Sequence, residues 1–194
     1  MVATVHEFPH KHLLTVDEYL RMGAAGIFKD EARIELIEGE IIDIAPIGTW
    51  HASIVNRLAE KLIVRVQGVA NVSIQAPVVL HPHSMPQPDL AVVRKRADAY
   101  ISAHPAPADI YLLIEVADAT LAFDRDVKLP LYARLGIAET WLIDIPNRQC
   151  LRFSDPSSSG YRQQATLTGL GQVMLPGMNN IWIDLSDLFP THES

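Results

Sequence analysis

Three segments decide how this chain is read: Gln87-Pro-Asp89-Leu-Ala-Val-Val93, Tyr111-Leu-Leu-Ile-Glu115-Val116 and Asp124-Arg-Asp-Val-Lys128-Leu-Pro-Leu-Tyr132. The first two are apolar runs, each carrying one carboxylate. Leu112–Val116 is apolar at successive positions, so it predicts a strand buried on both faces. The third has helical spacing. It opens near Asp124, ends before Gly136, and Pro130 is expected to shorten or kink it. Two carboxylates on strands this apolar need a physical reason. Held close in a low dielectric they repel, and one takes up a proton unless a cation intervenes. Oxygen-only donors suit Mg²⁺, with Mn²⁺ as substitute. Such an ion polarises a phosphate, and a nearby lysine orients a water. A plainer reading stays open: strand-end carboxylates are often solvated, and Asp124 with Lys128 also reads as an i, i+4 surface pair.

Outward from this centre the supporting elements are legible. Thr15-Val-Asp-Glu18 is a capping box, predicting a short helix to Met22 with Gly23 at its end. Arg33–Ile37 and Glu40–Ile44 flank Glu38-Gly39 and predict a hairpin. Between His51 and Val66, Ile54, Val55, Leu58, Leu62, Ile63 and Val66 recur at helical spacing and predict a helix lying on a sheet. Val72–Leu80 reads as a strand with an edge or bulge at Pro77. His81 to Pro88 reads as a loop, in which His81 and His83 alternate like strand ligands, but Pro82 between them and the loop setting favour a structural role. Arg94-Lys-Arg96 is a basic cluster, either a solvated face or a phosphate contact. Thr140–Asp144 predicts a further buried strand. Gln149–Phe153 and Tyr161–Leu167 predict a hairpin around Asp155–Gly160. Gly169 and Gly171 mark a turn before Ile181–Ile183 and Leu185–Phe189.

The chain of 194 residues, 48% hydrophobic, predicts a single domain over 15–190 behind an N-terminal tail, 1–14. His6, His10 and His12 in the tail read as ordinary solvated residues. No apolar run has the length of a membrane span, and the N-terminus lacks a signal peptide's apolar centre. One cysteine, Cys150, fits a reducing compartment, so the expected location is the cytoplasm. The net charge of -7 counts against nucleic acid as a partner unless cations on the carboxylates or a local basic patch intervene.

Pro88-Asp89, Glu115-Val116, Lys128–Tyr132 and Gly136–Asp144, with Ile34-Glu-Leu-Ile-Glu-Gly-Glu40 and His51 upstream, resemble the bacterial putative restriction endonuclease family of the PD-(D/E)XK nuclease superfamily. The resemblance covers roughly residues 13 to 153. It implies a mixed α/β (α+β) fold with a restriction-endonuclease-like core: a mixed central sheet flanked by helices, with added N-terminal and C-terminal β-hairpins. It further implies metal ligation by Asp89 and Glu115, with the Val116 carbonyl as a further ligand, and a catalytic group of Asp89, Glu115, Lys128, Glu35 and His51. The superfamily lysine two residues after the glutamate is absent, because Ala117 stands there. The resemblance transfers that role to Lys128 on the following helix. A Ser-Pro-Ser-Thr-like segment after the glutamate is replaced by Asp118-Ala-Thr120. The implied activity is Mg²⁺-dependent endonuclease cleavage of DNA phosphodiesters by a homodimer. The rival is a nuclease-fold binding or assembly module without catalysis. A carboxylate-pair glycosidase leaves Lys128 unexplained and lacks an aromatic sugar-binding signature. As a catalytic group, Lys128 changed to Ala is expected to lose cleavage while leaving the fold and metal binding nearly intact, whereas a surface-pair lysine would tolerate the change.

Overall fold

The computed structural model describes residues 11–29, 32–167 and 170–189. His6, His10 and Gly169 lie outside the described residues. Thr15 caps α1 (Val16–Ala24), with the reciprocal Thr15–Glu18 capping box in place. The helix runs past Gly23, and Gly26 at φ +71° follows its C-cap. β1 (Ile34–Ile37) and β2 (Glu40–Asp43) form the expected hairpin. Its turn takes positive φ at both Glu38 and Gly39 (+49° and +83°), the mirror-image turn that matches strand twist. A Cβ on Gly39 would lie 2.5 Å from the Leu13 Cβ, so the hairpin seats against the preceding segment only with glycine there.

After α2 (Thr49–Val66), the chain enters a six-stranded sheet. β3 (Ala70–Ile74), β4 (Leu90–Arg94), β5 (Ile110–Ala117), β6 (Glu139–Asp144), β7 (Gln149–Ser157) and β8 (Gly160–Leu167) lie in that order across it. Only β5 and β6 are parallel; the other neighbours are antiparallel. Parallel neighbours need a crossover. Here it is α3 (Leu121–Phe123), a π turn (Asp124–Lys128) and α4 (Leu129–Arg134). β9 (Gln172–Met174) and β10 (Trp182–Asp184) close the C-terminal end as a separate pair.

Alternation along the two middle strands divides the core. Leu90, Val92, Leu112, Ile114 and Val116 pack with Ile54, Leu58 and Leu62 of α2. Ala91, Val93 and Leu113 pack with Tyr132 and Ile137, while Ala117 and Leu142 pack with Leu129. Strand side chains have period two, so Glu115 belongs to the α4 face. β5 is interior, as its unbroken apolar run predicts.

Three segments differ from the sequence expectation. The strand expected over Val72–Leu80 ends at Ile74. Gln75 takes φ +46°, its N–H bonds the Asp89 carbonyl at 2.9 Å, and the chain leaves the sheet. The hairpin expected to open at Asp155 stays paired through Ser157–Gly160, with Arg162 forked onto Asp155. The helix expected over Asp124–Leu135 is instead a π turn followed by α4, with Pro130 in the first turn of α4. Proline offers no N–H, and the Leu129 N–H just before it reaches back five residues to the Asp124 carbonyl, widening one turn.

Candidate active site

The pairing of β4 with β5 brings two carboxylates close together. Ala91 lies opposite Leu113 and Leu90 opposite Ile114. Asp89 immediately precedes the last pair on one strand and Glu115 immediately follows it on the other, near enough for the Asp89 charge to act on Glu115. Like charges close together on neighbouring strands are destabilising, so other groups must offset them. Asp89 is held first by neighbours. Its Oδ2 accepts from the Val116 N–H at 2.9 Å and lies 3.0 Å from His51 Nε2 at the start of α2; Oδ1 accepts from Gln75 Nε2 at 3.2 Å. Burial pushes the Asp89 carboxyl up, but His51, the Val116 amide and Gln75 outweigh it and hold it below the usual carboxylate range. An ionised Asp89 can only accept, so His51 donates through Nε2. The other ring nitrogen, Nδ1, is buried without a partner.

Glu115 is deeper, 2% exposed. Its Oε1 accepts from the Tyr132 hydroxyl at 2.5 Å and from Lys128 Nζ at 3.2 Å. The same ammonium lies 3.0 Å from Glu35 Oε1 on β1 and 3.9 Å from Asp124 Oδ1 one turn earlier. Thr120 donates to the other oxygen of Asp124 at 2.7 Å. Lys128 is therefore buried among three carboxylates, not a surface-pair lysine. Burial alone would lower its pKa, yet Glu115, Glu35 and Asp124 hold it well above the ordinary value. Burial raises the carboxyls of Glu115, Glu35 and Asp124, most strongly Glu115, and Lys128 compensates only in part.

This cluster floors a cleft of about 200 Å³. Glu35, His51, Asp89, Asp124 and Lys128 line it, with Arg33 and the segments Ile44–Gly48 and Asp118–Thr120 at its sides. Glu115 lies beneath the wall. All five residues singled out in the sequence thus meet at one place. Tyr132 and Gln75 were not singled out. Tyr132 had a local signal, one helical turn after Lys128. Gln75 had none, because its reach to Asp89 depends on where β3 ends.

Among the described residues, no three His, Cys, Asp or Glu side chains converge as a ready cation cage. Mg²⁺ does not require one, since it binds through one or two carboxylates and keeps several waters. The donor set fits such an ion: three carboxylates surround one lysine, a fourth, Asp89, lines the same cleft, and Glu35 Oε2 is buried without a partner. Among the described residues no helix is long and apolar enough to cross a membrane.

Comparison with known proteins agrees with this architecture. A crystal structure of a putative nuclease from Anabaena variabilis superposes with a TM-score of 0.72 and 19% sequence identity, covering 91% of this chain and 97% of that one. It is similar in fold. A search of curated proteins finds no match. Residues 16–186 match the family described as "Putative restriction endonuclease", so most of the chain is accounted for. The chain belongs to the Uma2 family of putative restriction endonucleases.

Proposed function

We propose that the protein is a Mg²⁺-dependent endonuclease, with Mn²⁺ as substitute, that hydrolyses DNA phosphodiester bonds. The observation that carries this reading is the buried ammonium of Lys128 set among Glu35, Glu115 and Asp124, beside Asp89 at the floor of an open cleft. Asp89 and Glu115 hold the cation, with the Val116 carbonyl as a further donor. A divalent cation bound there supplies Lewis-acid polarisation of the phosphate and a more acidic water.

The remaining steps belong to the chain's own residues. Asp89 stays ionised, and His51 fixes its carboxylate through Nε2. Tyr132 and Lys128 hold Glu115 by Oε1, which restricts how that carboxylate turns. Lys128 carries a positive charge at the cleft floor, where it positions a water and stabilises charge developing on phosphate oxygens. Glu35, with one free buried oxygen, shares the ammonium and lines the same cleft. A homodimer suits cleavage of both strands, one site per strand, and the reading places the enzyme in the cytoplasm.

The test is cleavage of supercoiled and branched DNA with Mn²⁺, comparing wild type with Asp89→Ala and Lys128→Arg. Nicking by wild type and its loss in both variants is expected, since a planar guanidinium does not replace a compact ammonium beside a water. DNA binding by wild type without any cleavage would favour the non-catalytic binding module.

A further inference from the structure

We propose that Arg33 grips the substrate's phosphate backbone, and that the cleft and the cavity beside it form one track for a nucleic-acid strand. This rests on the nuclease reading above. Charge distinguishes the basic groups of the cleft from one another. The cleft wall carries Glu35, Asp89, Asp118 and Asp124, against Arg33, Lys128 and His51. Lys128 faces three carboxylates at the floor, where it serves the reacting phosphate, and His51 faces Asp89, so neither is left to hold a phosphate elsewhere along the backbone. Arg33 differs. Among the described residues its one partner is the Ala45 carbonyl, 2.9 Å from Nη1. A guanidinium has five N–H donors in a planar fork that matches phosphate oxygens, so most of its donors remain for a ligand.

Position supports the same assignment. Arg33 and Gln87 line both the catalytic cleft and an adjoining cavity of about 430 Å³. The other walls of that cavity include Tyr19, Gln75, Pro77 and Met85, which are uncharged. Such a surface receives a sugar or a base and gives a phosphate nothing to pair with. A strand laid through both spaces therefore brings a backbone phosphate to Arg33 at their junction. The basic cluster Arg94-Lys-Arg96 is a weaker candidate because its guanidiniums are engaged. Arg94 donates to the Ala108 carbonyl at 2.8 Å and lies over the Tyr111 ring, and Arg96 forks onto Asp98.

The test compares wild type, Arg33→Gln and Arg33→Lys in binding a short single-stranded DNA oligomer and a duplex of the same sequence. Ca²⁺ replaces Mg²⁺ to keep the DNA uncut, and affinity is followed across a range of salt. In Arg33→Gln the log–log salt slope should shrink by about 1, with weaker binding to every sequence tested. Its melting temperature should hold, because the bond to Ala45 is exposed and water takes the place of the guanidinium there. Arg33→Lys should keep the slope and regain only part of the affinity, lacking the fork. With Mg²⁺, Arg33→Gln should raise KM and leave kcat nearly unchanged. An unchanged slope and affinity in Arg33→Gln, beside a wild type that binds, overturns the role of Arg33. A lowered melting temperature with an unchanged slope does the same, reducing Arg33 to a staple for the Ala45 segment. A wild type that binds neither DNA overturns the nuclease reading, and this inference with it.

Discussion

Lys128→Met is the most informative single change, because it keeps most of the length of the side chain and removes the charged, hydrogen-bonding ammonium at its tip. Lys128 is 3% exposed, with carboxylate oxygens of Glu35, Glu115 and Asp124 at 3.0, 3.2 and 3.9 Å. Removing one partner from a buried ionic group leaves uncompensated charge and costs about 3–5 kcal/mol. For a chain of this size that corresponds to a fall in melting temperature of about 6–20 °C. The pH dependence follows from the three carboxyls. Their pKa values are already raised in the folded protein, chiefly by burial, and losing the ammonium raises them further. A carboxyl raised above its unfolded value binds more protons in the folded state, so stability falls as pH rises through the folded pKa. The deficit of Lys128→Met relative to wild type should be small in the ordinary carboxylate range and grow toward neutral and alkaline pH. Calorimetric melting of both proteins without divalent cations, from about pH 5 to about pH 8, measures it. Equal melting temperatures at the alkaline end would refute the buried cluster and restore the surface-pair reading. The structure already revises one expectation. A lysine set among three buried carboxylates cannot be changed to Ala with the fold nearly intact, so loss of cleavage in that variant must be read beside its stability.

Mg²⁺ or Mn²⁺ should raise the melting temperature of wild type, by about 2.7 kcal/mol in stability when the ion is a hundredfold above its Kd. The gain should increase with pH, since protons on the raised carboxyls of Glu35, Glu115 and Asp124 compete with the cation. Asp89→Ala should abolish the response, and a variant that still responds would place the ion elsewhere. Tyr132→Phe removes the 2.5 Å hydrogen bond to Glu115 while keeping the ring in the core. It should cost about 1–3 kcal/mol and weaken cation affinity by about tenfold. Unchanged cation affinity in melting titrations would leave Tyr132 a packing residue only.

Much of this architecture was legible because its signals are local. Alternation of period two marked the β1–β2 hairpin, an unbroken apolar run marked β5, and helical spacing marked α2; each pattern reports one element's own faces. Glu38-Gly39 announced its turn because positive φ is a property of the residues themselves. Pro130 announced a disturbed helix because it lacks an N–H. Asp89, Glu115 and Lys128 stood out as charged residues on elements otherwise apolar, and the family resemblance added Glu35 and His51. What the sequence could not decide was register and burial. Asp89 and Glu115 come close only because β4 pairs with β5 in one alignment, and a shift of one residue would turn one of them to the other face. Glu35 reaches Lys128 across 93 positions of chain, a distance no local pattern spans. Whether Asp124 and Lys128 form a solvated pair or part of a buried four-carboxylate cluster depends on the β1–β2 hairpin covering them and on Tyr132 closing the floor. The ionisation of that cluster is set by the water excluded when those elements assemble. Water exclusion is a property of the packed structure, so it appears in no single segment of the sequence.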